Sequence, residues 1–234
     1  MSAEARLYYD RYWSERDRPR AEPRSRERAV LTLDLLGHLR KSGRLIDFGC
    51  GPGWSLEVFR DAGFQVAGVD ASKVAVDEVE GRGFRAICLD VETDGLDAAV
   101  DLFDEPPDVV VALEVLEHLH EPCAFLESLA AVLPAEAAVV VSLPNEIHLL
   151  ARVKVLFGRL PFGGHDDPHV RHFDRRRACS LMRAAGYEIV AQTSVHMVPP
   201  RRPWLRAFLR PALWLLPGAF SLATIYLLRR NPGE

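Results

Sequence analysis

The chain has 234 residues, of which 48% are hydrophobic and 26% are charged. This composition is typical of a folded domain and excludes a disordered or fibrous protein. Its four cysteines lie far apart without a C-x-x-C pair, and the N-terminal residues lack the apolar stretch of a signal peptide. We therefore expect a reduced, cytoplasmic protein.

The formal net charge is −4, from 29 basic and 33 acidic residues, and the two signs are separated along the chain. Carboxylates predominate between Asp77 and Glu136, whereas no acid occurs between Glu188 and Glu234. The acidic middle would repel phosphates, which argues against nucleic acid as a general partner. For the basic C-terminal segment, an anionic partner and simple solvated arginines both remain open.

Short apolar runs alternate with helical patterns, which predicts a parallel sheet covered by helices on both faces. The predicted strands are 44–48, 65–69, 84–88, 108–113, 137–143, 187–196 and 220–228. The predicted helices are 26–40, 53–62, 73–81, 121–132, 146–157 and 174–185. The N-terminus is arginine-rich and carries an aromatic cluster, which predicts a helical cap; the cluster is Tyr8, Tyr9, Tyr12 and Trp13. The expected fold class is thus a doubly wound, mostly parallel α/β sheet of seven strands with an N-terminal helical cap.

Residues 211–228 are free of charge and just long enough to span a membrane. The pair Pro217-Gly218 interrupts them, which favours a short helix, a turn and a final strand instead of a span. Residues 201–216, which overlap the start of this segment, place aromatic side chains and arginines at helical spacing. This pattern predicts a short basic amphipathic helix, for which peripheral membrane contact and packing over the sheet both remain open.

A glycine-rich turn, Gly49-Cys50-Gly51-Pro52-Gly53, follows directly after an apolar strand and precedes a helix. Glycine lets the backbone approach a ligand where a Cβ would collide. The glycine spacing departs from the dinucleotide pattern, and Pro52 lacks the N–H group that a phosphate would use. Asp47 at the strand end would repel a pyrophosphate and favours a cationic or amine-bearing ligand.

Two further acids end the next predicted strands. Asp70, followed by Ala71 and Ser72, lies about 20 residues after the glycine turn, where an acid accepts hydrogen bonds from ribose hydroxyls. Asp90, followed by Val91, is placed to meet the exocyclic amine of an adenine. Because the carboxyl ends of parallel strands share one edge of the sheet, the sequence predicts a nucleoside ligand without a pyrophosphate.

These segments, together with VVVALEVLEHL at 109–119 and VVVSLPN at 139–145, resemble class I S-adenosylmethionine-dependent methyltransferases in order and spacing. The resemblance covers residues 44–196 and implies S-adenosylmethionine as the cofactor. It implies that Asp47 and the glycine turn bracket the methionine part, that Asp70 holds the ribose, and that Asp90 with Val91 flanks the adenine. It also implies that Leu113 and Glu114 lie beneath the sulfonium. The implied cofactor residues are Asp47, Gly49, Cys50, Gly51, Gly53, Asp70, Ala71, Ser72, Asp90, Val91, Leu113 and Glu114.

A second pattern resembles the acceptor loop of bacterial methyltransferases, D-x-x-H-x-R-x-F at Asp166, His169, Arg171 and Phe173. A hydroxyl acceptor needs a general base, and the predicted candidates are His169 and His118. The spacing of Glu114, Glu117 and His118 also resembles a metal-binding E-x-x-E-H motif of some RNA and quinone O-methyltransferases. Since the same letters occur in metal-free relatives, no metal is predicted, and a chelator is expected to leave activity unchanged.

The leading hypothesis is an enzyme that methylates a small or lipid-linked acceptor, with a hydroxyl oxygen as the favoured atom. The tail is similar to small methyltransferases of quinone, polysaccharide or lipid biosynthesis. Residues 1–43 would form the cap and 44–234 the cofactor-binding domain, with 146–175 and 197–218 as acceptor-side insertions. The alternative is a non-catalytic or regulatory scaffold that binds the cofactor. The sequence indicates neither the acceptor nor the oligomeric state.

Overall fold

The computed structural model describes residues 3–15, 18–37, 39, 41–161, 169–199 and 202–231. Its strands are β1 (Gly43–Phe48), β2 (Phe64–Asp70), β3 (Arg85–Cys88), β4 (Val109–Leu113), β5 (Ala138–Pro144), β6 (Tyr187–His196) and β7 (Ser221–Arg230). Its helices are α1 (Ala3–Glu15), α2 (Arg18–Leu36), α3 (Trp54–Asp61), α4 (Lys73–Gly81), α5 (Asp97–Val100), α6 (Pro122–Val132), α7 (Leu149–Leu156), α8 (Arg175–Ala184), α9 (Pro203–Leu215) and α10 (Pro217–Phe220). A 3-10 turn, Leu116–His118, follows β4.

The seven strands form one sheet in the order β3-β2-β1-β4-β5-β7-β6. Strands β1 to β5 are parallel, and β7 runs antiparallel to both β5 and β6. The predicted fold class, including the N-terminal helices, is confirmed. The strand order reverses between β1 and β4, and in such sheets ligands bind in the crevice at the carboxyl ends of the strands.

Both faces of the central strands are buried, which explains why these strands are continuous apolar runs in the sequence. In β4, Val110 and Ala112 pack into the core beneath α6 and α8, whereas Val109 and Val111 pack on the opposite face with residues of α2 and α3. The acids predicted to bind the ligand come at the points where these runs end. The sheet therefore supplies a rigid floor for a site at its carboxyl edge.

Helix α2 differs from the predicted helix 26–40, since it begins at Arg18, includes Pro23 and ends at Leu36. Glu22 and Arg26 form an ion pair of 2.8 Å across the proline. Beyond Pro23, Arg24 donates hydrogen bonds to the carbonyl oxygens of His196 (2.8 Å) and Met197 (3.0 Å) at the end of β6. These side-chain contacts anchor the segment around Pro23, and the long-range contacts of Arg24 are not visible in a local sequence pattern.

The uncharged segment 211–228 contains the end of α9, then α10, and then most of β7. The interruption at Pro217 thus falls where the sequence predicted it. Within the described part of the chain, none of the helices combines the length and the apolar character that crossing a bilayer requires.

Candidate active site

A cleft of about 230 Å³ opens at the carboxyl edge of the sheet, between the ends of β1 to β4 and the helices α1 and α2. It brings together both predicted histidines, His118 and His169, and most of the predicted cofactor residues. The predicted cofactor residues that line it are Gly49, Cys50, Asp70, Ala71, Asp90, Val91, Leu113 and Glu114. The remaining four, Asp47, Gly51, Gly53 and Ser72, lie outside its lining.

The glycine turn has the backbone that its sequence requires. Gly49, Gly51 and Gly53 have φ angles of 70°, 52° and 81°, a left-handed conformation that other residues rarely adopt. A Cβ on Gly51 would lie 2.6 Å from the ring of Trp13. The turn is tied to β2, since the amides of Gly49 and Cys50 donate to the carbonyl oxygen of Val69 at 2.7 and 3.1 Å. Glycine at 51 is therefore required both by the backbone and by a close neighbour.

Asp70 connects the two loops that border the cleft. Its carboxylate accepts hydrogen bonds from the amides of Gly51 (2.8 Å) and Ser72 (2.9 Å), and the side chain is buried. Burial raises the pKa of Asp70 to about 6, although these two hydrogen bonds act in the opposite direction. Each oxygen can accept a second hydrogen bond, so the group can still bind ligand hydroxyls.

Asp47 lies behind the glycine turn instead of on the cleft wall. It is buried and accepts a hydrogen bond from the Ser55 hydroxyl at the start of α3. Burial raises the pKa of Asp47 to about 7, opposed by the Ser55 hydrogen bond and reinforced by the charge of Asp70. Asp47 at the end of β1 thus holds the start of α3 through its hydrogen bond with Ser55.

At the other end of the cleft, Asp90 shapes the loop after β3. Its carboxylate accepts a hydrogen bond from the amide of Glu92 (2.9 Å), and its own amide donates to Asp94 (3.0 Å). Asp94 in turn pairs with Arg6 of α1 at 2.7 Å. The N-terminal helix is therefore attached to the loop that the sequence assigned to adenine.

Helix α1 forms one wall of the cleft, a role that the sequence analysis did not assign to its aromatic cluster. Tyr9, Tyr12 and Trp13 line the cleft. Asp10 holds the helix in place by accepting hydrogen bonds from the Ser72 hydroxyl (2.6 Å) and the Val74 amide (3.2 Å). Burial raises the pKa of Tyr9 far above its usual value, so the phenol keeps its proton and remains a hydrogen-bond donor. The aromatic clustering was the signal available in the sequence.

Glu114 has the only left-handed backbone conformation (φ 60°) of a non-glycine residue within the described ranges. Its carboxylate pairs with Arg28 of α2 at 2.9 Å and accepts a hydrogen bond from the Ser142 hydroxyl at 2.8 Å. The Glu114 amide donates back to the same hydroxyl at 2.9 Å. This side chain is therefore fixed at the end of β4, as a wall of the cleft supported by α2 and β5.

The two predicted histidines are neighbours. The rings of His118, in the 3-10 turn, and His169 have centroids 5.0 Å apart. The amides of Val170 and Arg171 donate to the carbonyl oxygen of Glu117 at 2.9 and 3.0 Å, which fixes the returning end of the loop on the turn.

The other loop residues have separate roles. Arg171 donates to the carbonyl oxygen of His120 at 2.9 Å. Phe173 is buried in the core, and Asp166 lies outside the described residues. Of the three described residues in the predicted loop motif, His169 is therefore the one that lines the cleft.

Glu117 precedes His118 and is fully buried. Burial, followed by the negative charge of Glu114, raises the pKa of Glu117 well above its usual range.

The cleft also includes Arg28 and Trp54, which the sequence analysis did not assign to the site. Arg28 comes from α2, which is distant in sequence from the strand-end motifs, whereas Trp54 directly follows the glycine turn at the start of α3.

Comparison with known proteins agrees with this geometry. Residues 13–192 match the family described as methyltransferase domain. A probable S-adenosylmethionine-dependent methyltransferase of Mycolicibacterium smegmatis is 29% identical over 167 residues, which cover 69% of this chain and 58% of that protein. A ubiquinone biosynthesis O-methyltransferase of Bradyrhizobium sp. (strain ORS 278) is 37% identical over 125 residues, which cover 51% of this chain and 45% of that protein. The chain spans about half the length of these curated relatives.

Among solved structures, the Burkholderia thailandensis 1,6-didemethyltoxoflavin-N1-methyltransferase, with bound S-adenosylhomocysteine, superposes with a TM-score of 0.62. The match covers 99% of this chain and 92% of that one at 18% identity, which supports the fold alone. The family match extends over more than half of the chain, so this protein belongs to the class I S-adenosylmethionine-dependent methyltransferases. The predicted family and its cofactor, S-adenosylmethionine, are confirmed.

Proposed function

We propose that the chain transfers the methyl group of S-adenosylmethionine to a small or lipid-linked acceptor, with a hydroxyl oxygen as the acceptor atom. The observation that carries this proposal is that one cleft contains both the acids at the strand ends and the neighbouring imidazoles of His118 and His169. The similarity to ubiquinone biosynthesis O-methyltransferases supports oxygen as the acceptor atom.

The strand ends would bind the cofactor. Asp70 would accept hydrogen bonds from the ribose hydroxyls, while Asp90 and Val91 would flank the adenine. Leu113 and Glu114 would lie beneath the sulfonium. The other predicted cofactor residues would border the methionine part or shape the loops around it; they are Asp47, Gly49, Cys50, Gly51, Gly53, Ala71 and Ser72.

At the acceptor end, the histidines would perform the proton transfer. The imidazole of His169 or His118 accepts the proton of the acceptor hydroxyl, because imidazole titrates near neutral pH. When S-adenosylmethionine is bound, the acceptor oxygen would bond to the methyl carbon as the carbon–sulfur bond breaks and leaves its electron pair on sulfur. The products are a methyl ether, a neutral thioether and an imidazolium. Alignment of the oxygen with the carbon–sulfur bond accounts for most of the rate gain.

The calorimetric titration of the protein with S-adenosylmethionine, followed by a screen of hydroxylated acceptors, tests this function. We expect binding and the release of S-adenosylhomocysteine with a phenolic or lipid-linked hydroxyl compound. Binding without turnover across the screen would favour the scaffold alternative. Methylation confined to amines would contradict oxygen as the acceptor atom.

Segments 146–175 and 197–218 would form the acceptor side. The first contains His169 and α7, and the second contains α9. Because β5 and β6 both run antiparallel to β7, α7 and α9 both follow strand ends at the edge of the sheet that carries the cleft. An acceptor in a membrane could therefore approach the cleft beside these two helices.

The surface of α9 supports peripheral membrane contact through residues 201–216. Trp204, Phe208 and Trp214 are 71%, 76% and 82% exposed, and no residue of α9 is buried. Arg202 and Arg210 are exposed beside them, whereas Arg206 pairs with Glu27 and Arg201 lies outside the described residues. Exposed aromatic side chains flanked by arginines suit an anionic lipid surface, where each arginine contributes about 1 kcal/mol.

We expect the protein to sediment with anionic vesicles at low salt, and the double variant Trp204→Ala with Phe208→Ala to lose most of this binding. The reason is that these two exposed side chains provide the apolar area that enters the interface. The matched control, Val30→Ala with Val190→Ala, removes exposed apolar side chains from α2 and β6 and should bind as the wild type does. Equal binding by the wild type and the Trp204 and Phe208 variant would contradict membrane contact.

A further inference from the structure

We infer that Glu117, His118 and His169 form a binding site for a divalent transition-metal ion beside the acceptor end of the cleft. One carboxylate oxygen and one ring nitrogen from each histidine lie within 4.8 Å of one another. All three residues line the cleft. The sequence analysis predicted no metal; the structure adds a third ligand, His169, which comes from a separate loop.

The strongest evidence is the surroundings of the Glu117 carboxylate. The side chain is fully buried, and both oxygens accept no hydrogen bond from any other described residue. A buried, ionised carboxylate without hydrogen bonds is costly, and proteins compensate it by protonation, by a paired charge or by a metal ion. The imidazoles of His118 and His169 face the same space and are the usual ligands of transition metals.

Two carboxylates, Glu114 and Glu146, act on Glu117 with negative charge, and Arg28 opposes them with positive charge. Glu146 is buried, and its carboxylate lies 3.3 Å from Nδ1 of His169 and 2.8 Å from Nδ1 of His172. A carboxylate beside one ring nitrogen fixes the orientation and tautomer of a metal-bound histidine. Glu114, the first residue of the E-x-x-E-H pattern, is instead committed to Arg28 and Ser142. The ligand set therefore differs from the one that the sequence pattern suggested.

The donor set also indicates which metal would bind. Two imidazoles and one carboxylate suit Zn²⁺, Co²⁺ or Fe²⁺, whereas Mg²⁺ prefers oxygen ligands alone. Three protein ligands leave a coordination position open, as in catalytic zinc sites. If the proposed function holds, an acceptor oxygen at that position would lose its proton to solvent more readily, and the histidines would act as ligands instead of as bases.

Metal binding can be measured without cofactor or acceptor, so its failure is distinguishable from failure of the proposed function. The metal-free chain, prepared by dialysis against a chelator, is titrated with Zn²⁺ by calorimetry and with Co²⁺ by visible spectroscopy. We expect one ion per chain, with micromolar or tighter affinity, and absorption bands of a four- or five-coordinate Co²⁺ site. Mg²⁺ at the same concentration should bind at least a hundredfold more weakly.

The variants His118→Ala, His169→Ala and Glu117→Gln should each weaken Zn²⁺ binding at least tenfold. His120→Ala is the matched control, because this exposed histidine follows the same 3-10 turn but lies outside the cluster. Thermal unfolding shows which variants are folded, and the two histidine variants keep the test valid if Glu117→Gln is not. Absence of a one-to-one complex in the wild type would overturn the inference, as would undiminished binding in both histidine variants.

Discussion

Replacing His169 by alanine is expected to lower kcat by about a hundredfold or more and to leave the affinity for S-adenosylmethionine nearly unchanged. The ring lines the cleft next to His118, so its removal takes away either the general base or a ligand of the acceptor-activating ion. Steady-state release of S-adenosylhomocysteine gives kcat, and calorimetry gives the cofactor affinity. Zn²⁺ titration of this variant distinguishes the general base from the metal ligand, because only the loss of a ligand weakens Zn²⁺ binding.

The matched control is His120→Ala, whose side chain is exposed and lies outside the lining of the cleft. It should retain wild-type turnover. Wild-type turnover in His169→Ala would show that the acceptor requires no group from this loop, as expected for a nucleophile that is already deprotonated. Loss of cofactor affinity in parallel with kcat would instead place His169 in the cofactor site.

Asp70→Ala is expected to weaken S-adenosylmethionine binding by about 1 to 3 kcal/mol, because the ribose hydroxyls lose their charged partner. This corresponds to about 5- to 150-fold in Kd. The carboxylate also joins the Gly51 and Ser72 amides, so the glycine turn should loosen as well. Calorimetric titration measures the Kd, and thermal unfolding without cofactor measures the structural contribution separately.

Two controls sharpen this test. Asp61→Ala removes an exposed carboxylate at the end of α3, outside the lining of the cleft, and should leave the Kd unchanged. Asp70→Asn keeps the size of the side chain and one acceptor oxygen, so its Kd should lie between those of the wild type and Asp70→Ala. An unchanged Kd in Asp70→Ala would remove the ribose assignment.

The strands were predictable because each one corresponds to a single short run of residues in the sequence. The predicted run 187–196 coincides with β6, and 44–48 and 108–113 differ from β1 and β4 by one residue at the start. The central strand β4 is buried on both faces and requires consecutive apolar residues, whereas exposed positions recur along the edge strand β6. The acids at the ends of these runs were predictable for the same reason, since parallel strands bring their carboxyl ends together.

The walls of the cleft were less predictable, because they depend on contacts between distant segments. The aromatic cluster of α1 predicted a cap. Its position over the glycine turn is set by the hydrogen bond from the Ser72 hydroxyl to Asp10 and by the ion pair of Arg6 with Asp94. For Asp47, the resemblance implies a place beside the methionine part, and the structure adds a hydrogen bond from the Ser55 hydroxyl to its carboxylate. This bond to α3 depends on the fold and is not part of the strand-end motif.

The sequence by itself determined the sheet, the glycine turn and the family, because these follow from local apolar runs, backbone conformations and spacings that any chain with these residues must satisfy. The tertiary structure decided which charged groups meet. It paired Glu114 with Arg28, buried Glu117 without a hydrogen bond from another described residue, and placed His169 beside His118. These contacts join helices, turns and loops that are far apart in the chain, so the interactions between their charged groups form only when the protein has folded.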